Sequence, residues 1–221
     1  MASILPFDEL NNFTLKLRGM FPDGKLPSRE EAKEEEEDII DEMLDLFLLA
    51  YAQGNTVTNE NLSSNWQPTL DDAMETVDAE VAGKTWRVRV EEYFSKARNG
   101  EIPITSTATG EQPSGKVGTQ GQDTGSGQVN LTDAIIRIAE TETHRIANTS
   151  ALDTATRAGA RTKTWVTMLD DKVRETHDYL EGMTVGVKED FYTFDGDHAS
   201  APGLFSLPEN NINCRCELVF S

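Results

Sequence analysis

At 221 residues the chain is long enough for one large domain or two small ones with a real apolar core. Its 39 acidic residues against 20 Lys and Arg give a net charge of -19, which excludes tight, sequence-independent wrapping of nucleic acid by the chain as a whole, because that binding runs on Lys and Arg. Two cysteines make no disulfide framework, and the opening MASILPFDELNN has neither the basic nor the apolar stretch of a secretory leader, so folding in a reducing cytoplasm is expected.

The first clear helix begins near Ser28, where Ser28 and Glu31 make a capping-box pattern and the following glutamates suit the positive end of the helix dipole. Ile40, Met43, Leu44, Phe47 and Tyr51 mark one apolar face, and Gly54 is the expected end. The glutamate run suits a basic partner and equally a solvated face. The apolar patch MLDLFLLAYA is interrupted by Asp45 and is too short to span a bilayer, so no membrane role is expected.

A second helix is predicted from Thr69 to about Ala82, with Leu70, Ala73, Met74, Val77 and Val81 on one side. The segment KTWRVRVEEYFSKARNG fits a strand by the alternation of Trp86, Val88 and Val90. It fits a helix by Trp86, Val90, Tyr93, Phe94 and Ala97, and its basic last turn before Gly100 favours the helix. Residues 101–130 are dominated by Gly, Ser, Thr, Gln and Pro and read as a linker. The chain thus divides into an acidic helical region, 1–100, a spacer, 101–130, and a C-terminal unit, 131–221.

In that unit a long helix starts with Asn130 or Thr132 as its N-cap, carries Ile135, Ile138, Ala139, Ile146 and Ala147, and closes at Gly159. TKTWVTML is a strand candidate through Trp165, Val166 and Met168. DDKVRETHDYLEG reads as a short helix from Asp170 or Asp171 to Gly182. MTVGV, FYTF and CRCELVF supply further strands. The expected class is α+β: a helical N-terminal region, then a long helix packed with a small, mainly antiparallel sheet.

Three groups carry candidate chemistry. Cys214 and Cys216 on a strand would face one side with sulfurs about 7 Å apart. With His177, and Asp170 in principle, they are candidate metal ligands, although structural zinc favours a wider Cys-x2–4-Cys spacing; two small buried side chains fit the same pattern. Within DDKVRETHDYLEG, Asp171, Arg174, Glu175 and Asp178 have helical pairing distances, and Arg174 beside His177 suits acid–base chemistry, anion binding or a structural network. Asp195 and Asp197 around Gly196 suggest a calcium loop, but the spaced ligands and terminal glutamate are missing, and a turn is the better reading.

Taken in order, the pieces of the C-terminal unit resemble the head morphogenesis domain of tailed bacteriophages, the phage Mu F-like minor head protein family. The resemblance rests on Thr141, Glu142, Thr143 and Asn148 on the long helix, and on Lys163 and Trp165 on the strand. It continues with Asp170, Arg174, His177 and Gly182 around the short helix, and ends with Asn213, Cys214, Arg215 and Cys216. It covers residues 131–221; the Gly/Ser-rich spacer before it departs from the family's usual pattern.

The resemblance implies a structural, non-enzymatic component of the virion, assembled in the host bacterial cytoplasm and present in a few copies per particle. It would act in head morphogenesis or DNA delivery near the portal. Its implied partners are portal, major capsid or scaffold proteins, with a weak DNA contact at most, and it calls for no cofactor. The motif residues would be structural, with Glu142 and Arg174 pairing and Asn213 bracing the start of the last strand. The alternative is a metal-dependent enzyme or toxin-like domain using His177, Cys214 and Cys216.

Overall fold

The computed structural model describes residues 5–27, 30–56, 67–81, 83–105 and 129–221. Four helices come first: α1 (Phe7–Met20), α2 (Glu31–Asn55), α3 (Leu70–Val77) and α4 (Trp86–Arg98). The long α5 (Leu131–Arg157) leads into β1 (Thr162–Val166), the one-turn α6 (Glu175–Asp178), β2 (Thr184–Gly186), β3 (Phe191–Tyr192), β4 (His198–Ala199), the one-turn α7 (Pro208–Asn211) and β5 (Glu217–Phe220). β1 is the centre of an antiparallel sheet of order β2-β1-β5, with Trp165 opposite Leu218 and Lys163 opposite both Val185 and Phe220. β3 and β4 pair separately as a hairpin. The architecture is the α+β class expected from the sequence.

Local chemistry explains where several helices begin. Thr69 and Asp72 close a full capping box on α3, and the Thr85 side chain accepts from the Val88 amide on α4. Of the two caps considered for the long helix, Asn130 serves: its side chain accepts from the Asp133 amide at 2.9 Å. The KTWRVRV segment resolves to helix, burying Trp86, Val90, Phe94 and Ala97.

Other boundaries moved. α1 precedes every helix read from the sequence; only Phe13 and Leu17 are fully buried along it, a sparse signal among polar residues. Ser28 lies outside the described residues. The buried face of α2 is carried by Ile39, Met43, Leu46, Phe47, Ala50 and Tyr51, leaving Ile40 and Leu44 half-buried, so the stripe is rotated from the one predicted. Gly54 does not end α2. It lets α2 and α5 touch through their backbones: a Cβ there would sit 2.2 Å from the Ala147 carbonyl oxygen. α3 stops at Val77, Leu70 is exposed, and Val81 instead bridges Lys84.

α5 organises everything else. It buries 18 of its 27 residues and packs against α1, α2, α3, α4 and β5, so no single apolar face describes it. Phe47 meets Trp86 edge-on at 5.0 Å within the same core that continues to Trp165, Phe191 and Phe220. Most of the predicted spacer, residues 106–128, lies outside the described residues. Its two flanks meet at the start of α5: the Leu131 amide donates to Pro103 O at 2.9 Å, and the Thr132 amide and hydroxyl both donate to Ile104 O.

Candidate functional site

Four stretches of chain converge where α5 meets the end of β1: α6, the 205–211 turn, the segment before β5, and α5 itself. The NCRC segment is not strand, since β5 starts only at Glu217. Asn213 has φ 56, a left-handed turn just before Cys214, and residues 214–216 are not in the strand pleat that would hold the sulfurs about 7 Å apart. Both cysteines turn inward and are free and buried. His177 Nδ1 lies 3.5 Å from Cys214 Sγ and 3.4 Å from Cys216 Sγ, and the three ligand-type atoms sit within 4.8 Å of one another.

The surroundings hold this triad from several sides. The His177 ring stacks on Phe205 at 5.5 Å and meets Trp165 edge-on at 5.3 Å. Its Nε2 has no hydrogen-bond partner among the described residues. The Cys216 carbonyl is bracketed by α5, with His144 Nε2 at 2.7 Å and the Asn148 amide donating at 3.2 Å. Burial pushes Cys214 up, but the bonds from the Cys216 thiol and from His177 outweigh it and hold Cys214 well below the usual thiol value. Cys216, bonded to that neighbour and shut away from water, moves up.

Other expected partnerships fall elsewhere. Asp170 is no ligand: it is part-exposed and grips Arg215 with two bonds of 2.7 and 2.8 Å. Arg174 is not inside a helix, because α6 is only one turn long. It donates to Ile212 O and does not pair with Glu142. Glu142, only 1 % exposed, is instead held by Arg89 and by Arg145 Nε at 2.6 Å, while Arg145 also donates to the carbonyls of Thr76 and Val77. Gly182 adopts φ 70 at the turn into β2, where Leu180 and Met183 close a backbone bond. Lys163 is fully buried and donates to Ser200 O at 2.7 Å; burial pulls its ammonium below the usual lysine range.

Asn213 is exposed and makes no brace; Asn210 and Asn211 do that work. Asn211 exchanges two bonds with the Phe205 backbone, at 2.9 and 2.6 Å. Asn210 donates to Asp197 and accepts from Thr176. Asp197 is the hub: it also accepts from the amides of His198, Ser206 and Leu207 and from the Ser206 hydroxyl. Burial pushes its carboxyl up, but these bonds outweigh it and hold it at about 2. The FDGDHASAPG segment is therefore the tip of the β3–β4 hairpin and its exit, a turn as read. Sequence reasoning missed His144, Arg145, Asn210, Asn211 and the hub role of Asp197; the adjacent asparagines before NCRC were the available signal.

The sequence profile described as Phage Mu protein F like protein matches residues 119–219. The minor head protein GP7 of Bacillus phage SPP1 is 31 % identical over 85 residues, 37 % of this chain and 28 % of that protein. An NAD(+)–arginine ADP-ribosyltransferase, EFV, of Enterococcus faecalis is 33 % identical over 88 residues, 38 % of this chain and 18 % of that protein. The chain thus spans less than a third of the length of these curated relatives. No solved structure matches it significantly. The matched segment contains α5, both sheets up to Val219 and the His177–Cys214–Cys216 cluster, and it is this segment, a little under half of the chain, that is similar to the Phage Mu protein F like family.

Proposed function

We propose that this chain is a structural protein of a tailed bacteriophage head, a minor capsid component acting in head morphogenesis or DNA delivery near the portal. The observation that carries the reading is the family match over 119–219, joined by the likeness to a phage minor head protein. The absence of a described helix long and apolar enough to cross a membrane is compatible with it.

In this reading the buried polar residues of the C-terminal unit keep its loops in place and do no catalysis. The division into an acidic region 1–100, a spacer 101–130 and a unit 131–221 then describes how the chain meets the particle. The α1–α4 layer offers an outward face rich in Glu and Asp, including exposed Glu34, Glu37, Asp38 and Asp41, to a portal, capsid or scaffold surface of opposite charge. DNA contact is confined to the less acidic C-terminal unit.

Mass spectrometry of purified heads from a phage carrying this gene tests the proposal. The protein is expected at a few copies per head, and deleting the gene is expected to lower the yield of infectious particles. Its absence from heads at every assembly stage, with normal yield on deletion, overturns the proposal. The likeness to the transferase favours no second reading, because it covers only 18 % of that protein. Incubation of the full chain with NAD and arginine-bearing acceptor proteins is expected to give no transfer of ADP-ribose.

A further inference from the structure

We propose that His177, Cys214 and Cys216 form a zinc site with its fourth position open to water. Zinc in a tetrahedral site sits about 2.3 Å from sulfur and about 2.0–2.1 Å from imidazole nitrogen, which places N and S about 3.5 Å apart along each edge. The two N···S separations, 3.5 and 3.4 Å, have that length before any ion is placed. An S–H···N hydrogen bond has a similar length and the two thiols also bond each other, so metal uptake is what separates the two arrangements. One imidazole lone pair faces two sulfurs, and as an acceptor it serves one thiol well. A cation in the middle of the triangle engages all three atoms at once.

The ligand set also states which ion fits. Two thiols and an imidazole make a soft donor set that selects zinc and disfavours calcium or magnesium. The nearby carboxylate that would harden the set, Asp170, is already engaged in both of its bonds to Arg215. Those bonds in turn fix the residue between the cysteines, and the clasp of His144 and Asn148 on the Cys216 carbonyl fixes the backbone behind them. The donors are thus oriented by groups outside the triangle.

A cavity of about 10 Å³ touches the three ligands and is walled by Met168, Lys172, Val173, Arg174, Asn213 and Arg215. It has room for about one water, the fourth ligand the protein does not supply. The bound ion would clip residue 177 to residues 214 and 216, across 37 residues of a loop-rich unit held otherwise by polar bonds. This role is independent of the head-protein reading.

The test uses the full chain, purified under reductant, stripped with a chelator and titrated with zinc chloride or cobalt chloride. Saturation at one ion per chain, a thiolate-to-cobalt charge-transfer band displaced by zinc, and a higher melting temperature with zinc are expected. Cys214→Ser and Cys216→Ser are each expected to weaken zinc binding more than tenfold, beyond the loss typical of an outer-shell partner's weaker variants. The wild-type titration is decisive even if a variant fails to fold. No saturable uptake and no band in the reduced wild type overturn the site, as does a band that persists in the double Cys→Ser protein.

Discussion

The two sides of α5 are stabilised by different means. Toward α1–α4 the contacts are mostly apolar and helical, apart from the Glu142 cluster: Leu17, Ile39, Met43, Phe47, Val77, Trp86, Val90 and Phe94 fill one face after another. On the other side, residues 191–216 contain only two short strands and one helical turn, and their path is set by side chains that bond the backbone, with Asp197, Asn210, Asn211 and Lys163 at the centre. A helical layer tolerates the exchange of one apolar residue for another of similar volume. A loop layer held by polar groups does not, because each lost acceptor strands a buried donor.

The largest effect is expected on the helical side, where one buried carboxylate ties α5 to α4 and, through Arg145, to α3. Glu142→Ala leaves Arg145 buried beside α3 without its carboxylate and is expected to cost about 3–5 kcal/mol in chemical denaturation. A loss below 1 kcal/mol would show that the Glu142 cluster is not structural. Next comes Gly54→Ala. The new Cβ meets the Ala147 carbonyl, rigid backbone in both helices, and about 3 kcal/mol should be lost as α2 lifts from α5. Unchanged stability would mean that the helices do not approach this closely.

The loop layer has its own signature in acid. Asp197 has a folded value of about 2 against an ordinary carboxylate value near 3.9. A depressed carboxylate contributes stability that is fully present above the unfolded value and is lost as pH falls through the folded one. Roughly 2 kcal/mol should therefore disappear between about pH 4 and pH 2. Asp197→Asn should remove that part of the slope in denaturation curves taken across the range; an unaltered slope would assign it to other groups. The smallest effect is expected for Asp170→Asn. Its bonds to Arg215 are part-exposed, so the change should stay within about 1 kcal/mol.

What was legible in the sequence follows the same division. α2, α4, α5 and β1 were readable because apolar residues recur at helical or strand spacing and some ends are marked, by Asn130 before α5 and by the basic last turn before Gly100 in α4. α1 was not, since its buried residues are too few to make a stripe. The face of α2 was displaced because both Ile39 and Ile40 are apolar, and only the position of α5 decides between them. At the candidate site His177, Cys214 and Cys216 were named, but not their geometry, which depends on the left-handed turn at Asn213. The partners of Glu142 come from α4 and from its own helix, a pairing across 53 residues that no spacing encodes.

The enclosure of α5 has a dynamic consequence. Of its 27 residues only Asp133, Arg137 and Arg157 are exposed, and partners cover it on all sides. No local fraying gives water a route to its central amides, so those around Ile146 should exchange hydrogen for deuterium only when the whole chain opens. The amides of residues 191–206, pinned by a few side chains, should exchange by smaller and more frequent openings. α5 is then the slow clock of the molecule, and the exchange rate at its centre reads the global stability directly.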